Sequence, residues 1–208
     1  EARGPFFSAD GQSIGFWAAG QLKKVSVRGG APVVLADVPV NPSGASWGAD
    51  GMVLYGQPEG IMQVPGASGT PEFLTPVAEG EFNYGPQMLP GGEWVLFTLR
   101  TAGSWDEGEI VAQSVTTNER RVLVSGGRDG RYVASGHLFY GLNGVIFAVP
   151  FDVSSLQVTG GPVPLVEGVR QADGGQNGAS QFSVSTNGSL AYVSGSGAGV
   201  QRTLVWVD

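Results

Sequence analysis

Short apolar runs of about five residues alternate with turns rich in Gly, Asp, Asn and Pro along the whole 208-residue chain. Five of these runs share one phrase: Phe7–Phe16, Trp47–Tyr55, Met88–Phe97, Val133–Tyr140 and Val184–Tyr192. Each reads as an apolar residue, a short turn ending in Gly, then an apolar strand ending in an aromatic. The aligned glycines are Gly11, Gly51, Gly92, Gly136 and Gly188, spaced 40, 41, 44 and 52 residues apart. An inner strand leads into each phrase (Pro5–Ser8, Gly44–Trp47, Tyr84–Leu89, Arg131–Ser135, Ala179–Ser185). A further strand follows it (Leu22–Val27, Ile61–Pro65, Ile110–Val115, Val145–Phe151, Thr203–Val207). Four units then close on a short strand: Pro32–Ala36, Glu72–Thr75, Arg121–Val124 and Pro162–Val166. No run of helical length shows a 3.6-residue period. A repeat of 40–50 residues built from several short strands predicts a β-propeller. The expectation is an all-β fold of nineteen strands in a single domain, residues 1–208, with five four-stranded antiparallel blades. The blades fall at 1–38, 39–77, 78–127, 128–170 and 171–208, and the last lacks its outer strand. A two-sheet sandwich also has many short strands, but it does not require one phrase to recur at each hairpin.

The phrase Ser8-Ala-Asp-Gly-Gln-Ser-Ile-Gly-Phe16 resembles the core of TolB-type, WD40-like repeats, in which an aromatic, Ser-Pro-Asp-Gly and a short apolar strand follow one another. Trp47-Gly-Ala-Asp-Gly51 is a second match and Met88–Phe97 a third, so the resemblance runs over nearly the whole chain. It is similar above all to propellers attached to the extracytoplasmic ends of some bacterial serine/threonine kinases. Leu22–Val27, Arg120–Val124, Leu142–Asp152 and Arg202–Val207 have analogues there. The chain has no kinase motif of its own. The resemblance implies a propeller used for binding or assembly in the bacterial envelope, periplasmic or otherwise extracytoplasmic, and it implies no ligand and no catalytic residue.

Composition narrows the partners. Glycine reaches 35 residues, which suits tight turns and not helices. The net charge is −7, and the 11 Lys and Arg form no run longer than a pair, so binding to nucleic acid is not expected. An anionic membrane surface would repel the chain for the same reason. No apolar stretch nears the roughly 20 residues that span a bilayer, so direct membrane insertion is not expected either. Cysteine is absent, which removes disulfides, thiolate metal sites and cysteine nucleophiles. The opening Glu1-Ala-Arg3, without Met or signal peptide, suggests a processed or incompletely represented protein.

Several motifs mimic chemistry. Gly44-Ala-Ser46-Trp-Gly48 has the letters of a nucleophile elbow, but that chemistry needs a strand-to-helix turn with a His and an acid downstream. Here a strand follows, so Ser46 reads as an inner-strand residue. His137, the only His, stands where the other repeats carry Gln12, Met52, Glu93 and Ser189, which points to a surface or strand-end residue. One His without Cys makes a zinc site improbable. Asp10-Gly11 and Asp50-Gly51 lack the spaced oxygen ligands of a calcium loop and read as β-turns. Gly195–Gly199 precedes no helix that would meet a phosphate. Asn187-Gly-Ser189 is a formal glycosylation sequon to which no role is assigned. The expectation is a protein without cofactor, metal or catalytic residues.

Candidate binding residues follow from the loops. One propeller face receives the terse Asp-Gly turns and the longer Asp152–Gly161 connection. The other collects Asp37–Ser43, Pro76–Tyr84, Thr101–Glu109 and Arg170–Ser180. There Phe82, Tyr84 and Trp105 stand beside Asp106, Glu107, Glu109 and Asn177, with Glu79, Glu81 and Asp173 nearby, as the ingredients of a protein-contact surface. The alternative is that the aromatics fold back over the blade edges. Leu204, Val205 and Trp206 would form an unpaired strand edge open to a partner chain. The first functional reading is a non-catalytic binding or scaffolding propeller that docks on a protein partner, as part of a larger, membrane-embedded assembly. A ligand-sensing receptor domain is the alternative. A glycosidase would need acidic residues in the innermost strands, which read instead as Gly, Ala, Ser and aromatic.

Overall fold

The computed structural model describes residues 1–172, 177–185 and 188–195, and the backbone of the strand at 204–207. Five antiparallel sheets follow one another along the chain. Blade one is β1 (Arg3–Phe7), β2 (Ser13–Ala18), β3 (Gln21–Ser26) and β4 (Val33–Asp37). Blade two is β5 (Ala45–Trp47), β6 (Met52–Gln57), β7 (Gly60–Pro65) and β8 (Glu72–Pro76). Blade three is β9 (Phe82–Met88), β10 (Trp94–Arg100), β11 (Glu109–Ser114) and β12 (Arg120–Ser125). Blade four is β13 (Arg128–Val133), β14 (His137–Leu142), β15 (Val145–Asp152), β16 (Gln157–Val158) and β17 (Val163–Val166). Blade five is β18 (Phe182–Val184), β19 (Leu190–Val193) and β20 (Leu204–Val207). The only helical piece among the described residues is a 3-10 turn at Trp105–Glu107.

The Asp-Gly phrase is a turn that the aspartate itself closes. Asp10 Oδ1 accepts from the Gln12 amide at 2.9 Å and from Ser8 Oγ at 2.6 Å, and Asp50 Oδ1 accepts from the Met52 amide at 3.0 Å. These bonds hold the Asp10 carboxyl below its usual range, the Ser8 hydroxyl contributing most.

Two strand expectations are corrected. The Asp152–Gly161 connection is no plain loop, so there are twenty strands and not nineteen. The eight-residue β15 is longer than β14, and its end pairs with β16 through Phe151↔Val158 and Asp152↔Gln157. Leu156, buried in the core at a φ of 55°, anchors that hairpin. The inner strand of blade four begins at Arg128, three residues earlier than expected, and ends at Val133, where Val133–Gly136 closes as a turn. In blade five, β20 pairs with β19 from Leu190↔Val207 to Val193↔Leu204, and among the described residues no fourth strand joins it.

The core lies between blades. Each strand alternates its side chains between two faces, so an interior blade feeds two clusters. In β10, Val95, Phe97 and Leu99 pack with Leu54 and Ile61 of blade two, while Leu96 packs with Leu138 and Tyr140 of blade four. A third cluster joins Leu22, Leu35 and Ala36 of blade one to Val53, Tyr55 and Val64 of blade two.

Polar side chains lock the joints. Gln87 of β9 gives and takes a bond with the backbone of Tyr132 on β13, at 3.1 and 2.8 Å. Asn83 donates to the Gln57 carbonyl at 2.7 Å. Arg120 grips both oxygens of Glu81, at 2.7 and 3.0 Å. The Arg120 bonds hold the Glu81 carboxyl below its ordinary 4.5 against the opposing effect of burial. A depressed folded-state value contributes stability above the unfolded value that is lost as pH falls through the folded one. Urea titrations between about pH 5 and 3 should therefore show a shallower acid loss in Glu81→Gln than in wild type.

Candidate binding platform on the loop face

Phe82, Tyr84, Trp105 and Asp106, four of the sequence-nominated residues, meet where blades three and four face Gln171 and Gly178. They are not all displayed. Trp105 is only 3% exposed, which corrects the expectation of a projecting indole. Its ring meets Tyr84 edge-on at 5.9 Å, and the Arg100 guanidinium carbon lies 4.9 Å from its centroid. Gly178 closes over both rings: a Cβ there would lie 2.9 Å from Trp105 and from Tyr84, so no larger residue fits without movement. Tyr84 is likewise drawn inward, and burial, reinforced by the Asp129 carboxylate, pushes its hydroxyl pKa upward.

Phe82 behaves differently. It is 44% exposed, yet its ring stands 4.6 Å from the Arg100 guanidinium carbon. Arg100 thus lies against one buried and one exposed aromatic ring, and Arg100 Nη1 donates to the Gly103 carbonyl at 3.0 Å. Asp106 is held inward: its Oδ1 accepts from Arg128 Nε at 3.0 Å and from Gln171 Nε2 at 3.1 Å. Glu107 and Asn177 are exposed, and Asn177 Oδ1 accepts from the Ala179 amide at 3.0 Å. Glu109 opens β11 between Leu99 and Ser125 and is half-buried. The outward surface is therefore Phe82, Glu107 and Asn177, on a base of Tyr84, Trp105 and Asp106.

Beneath that base lies a group not anticipated from sequence. Asp129, on the inner strand β13, is 2% exposed, which corrects the expectation of innermost strands free of acids. Its Oδ2 accepts from the Ser180 amide at 3.0 Å, and its Oδ1 stands 2.8 Å from Arg131 Nη2. Burial pushes the carboxyl pKa up, opposed by Arg131 and the Ser180 amide. The signal was present as Arg128-Asp-Gly-Arg131, an acid between two arginines. The apolar pattern does not reveal it, because a strand read from Arg131 leaves Asp129 outside the sheet.

The remaining sequence candidates are dispersed. Ser46 faces Leu54 across β5 and β6, in blade two. His137 begins β14 in blade four, where its Nδ1 lies 3.1 Å from the Ser135 carbonyl. A serine-directed fluorophosphonate should therefore label wild type and Ser46→Ala identically, since the one His of the chain lies in blade four and, among the described residues, no base is seen bonded to that hydroxyl. Among the described residues, no group of three His, Cys, Asp or Glu converges to hold a metal ion. Asp173, Asn187 and Ser196–Gly199 lie outside the described residues, as do the side chains of Leu204, Val205 and Trp206.

No family model matches the chain, and no curated protein matches it. Solved structures do. A candidate TolB from Agrobacterium tumefaciens is 16% identical, with a TM-score of 0.66, over 93% of this chain and 70% of that one. The fold is a β-propeller. Regucalcin, a calcium-binding protein from Agrobacterium tumefaciens, is 14% identical over 93% of this chain and 67% of its own, with a TM-score of 0.65. Oligogalacturonate lyase in complex with manganese is 12% identical over 98% and 64%, with a TM-score of 0.59. The chain thus spans about two thirds of the length of these propellers, and at such identities the likeness concerns architecture alone.

Proposed function

We propose that this propeller is a non-catalytic binding module of the TolB-like, WD40-like repeat type, docking through its loop face on a protein partner in an extracytoplasmic bacterial assembly. The observation that carries this reading is Phe82: a ring held against Arg100 and still 44% exposed, on the loop face that also exposes Glu107 and Asn177. An immobilised aromatic anchor within a polar rim loses little entropy on docking, which is what makes such residues dominate protein interfaces. The buried base of Trp105, Tyr84 and the Asp106–Arg128 pair supports it by fixing three chain segments at once. The repeat's resemblance to envelope propellers supports the compartment. No helix of the described residues is long and apolar enough to cross a membrane.

The test is copurification of wild type and Phe82→Asp from the native source. A protein recovered in fixed ratio with wild type and lost with the variant, at unchanged circular dichroism, is the expected result. Retention of every companion by the variant would remove the reading. Turnover of a substrate by the isolated wild type would replace it with an enzymatic one.

A further inference from the structure

Blade one is built like the others, but among the described residues only one of its faces joins a core cluster with another blade. Directly paired residues point to the same side of a sheet, and alternate residues of a strand share that side. The pairs Phe6↔Gly15, Trp17↔Leu22 and Leu22↔Ala36 define the side that packs on blade two. The pairs Phe7↔Ile14, Ile14↔Val25, Phe16↔Lys23 and Lys23↔Val34 define the opposite side. That side carries Phe7, Ile14, Phe16, Val25 and Val34, with Lys23 among them and the Gln21–Asp37 pair at one end. None of the five belongs to any of the three core clusters. Phe7 is 60% exposed and Val34 41%. The equivalent side of blade three, carrying Val95, Phe97 and Leu99, is buried against blade two.

The composition of this side is that of a blade–blade interface, not of a solvated sheet face, where alternate positions would be polar. We propose that it seats a further blade: a four-stranded antiparallel sheet of the same repeat, carried by the same polypeptide and presenting its own apolar side to Phe7, Ile14, Phe16 and Val25. Two observations select this occupant over a second copy of the chain. The existing interfaces join consecutive blades, sheet by sheet in chain order, so a blade is the shape each such side accepts. Propellers of similar architecture are single chains, and this one spans 67% and 70% of two of them, which leaves room for further blades in one polypeptide. The three-stranded blade five fits the same account, since among the described residues no strand pairs with the outer edge of β20. The inference is independent of the loop-face reading, which concerns another surface.

The test is hydroxyl-radical footprinting of the protein made from its complete reading frame, comparing Phe7 with Phe73. In this structure the two are similarly exposed, at 60% and 54%, and Phe73 lies on the outer strand β8, away from the face in question. The expected result is labelling of Phe7 about fivefold below Phe73 at every protein concentration, as a side chain at core burial requires. A ratio near one would overturn the proposal. Protection of Phe7 that grows with protein concentration would overturn it in favour of a second copy. The variant Phe16→Lys gives an independent reading by thermal melting of the same protein. Lowered melting supports a covered face, and unchanged melting contradicts it.

Discussion

Asp129→Ala is expected to destabilise the propeller by about 3 kcal/mol, the lower end of what breaking a buried ion pair costs. The lower end applies because Arg131, left behind, keeps a side chain 28% exposed to water. The effect has three sources. Arg131 loses its counter-ion, the buried Ser180 amide loses its acceptor, and alanine must adopt the φ of 53° that Asp129 holds. Asp129→Asn separates them. Asparagine tolerates that φ and can still accept from Ser180, so it removes the charge alone and should cost less. The pH dependence has a defined sign. Burial raises the folded-state value of Asp129 above its ordinary 3.8, so the folded chain binds this proton more readily than the unfolded chain. Stability from this group is fully present below 3.8 and declines as pH rises through the raised value. Asp129→Asn should abolish that decline in chemical denaturation followed by tryptophan fluorescence. A variant as stable as wild type would mean that Asp129 does not help hold the segment at Ser180 to blade four.

The second large effect is expected in the joint between blades two and three. Phe97 has no exposed surface and packs in one cluster with Leu54, Ile61, Val95 and Val111. Phe97→Ala should cost about 4 kcal/mol, because the rigid neighbours on both sheets cannot close the void. For a domain of this size that corresponds to a fall of roughly 10 °C in Tm. Phe73→Ala is the matched comparison. Its ring is 54% exposed, and the change should stay within about 0.5 kcal/mol. Differential scanning calorimetry of the two variants checks both values.

The blades were legible in the sequence because the turn phrase is a local device. Asp10 and Asp50 close their turns with bonds two residues away, and such chemistry reads directly from neighbouring letters. The apolar runs read as strands contain Leu22, Val95 and Leu138, and all three lie in the core. The platform was less legible, because its geometry depends on residues far apart in the chain. Nothing local shows that Trp105 turns inward, since that follows from Gly178 lying over its ring and Arg100 lying beside it. Asp129 escaped notice for a similar reason. Its partner amide is 51 residues away, and a short strand can start three residues earlier without changing the apolar pattern that defines it. The β16 hairpin was hidden because its anchor is the single buried Leu156.

Site-specific photocrosslinking at position 82, in cells of the source organism, tests the binding role most directly. A photoreactive phenylalanine analogue there stands where the exposed ring of Phe82 projects, and the same analogue at Val122, 50% exposed on the outer strand β12, serves as the control. The account predicts one discrete crosslinked protein from position 82, none from position 122, and loss of the product when Glu107→Lys reverses the neighbouring charge. Equal products from both positions, or none from position 82 in a folded protein, would contradict it.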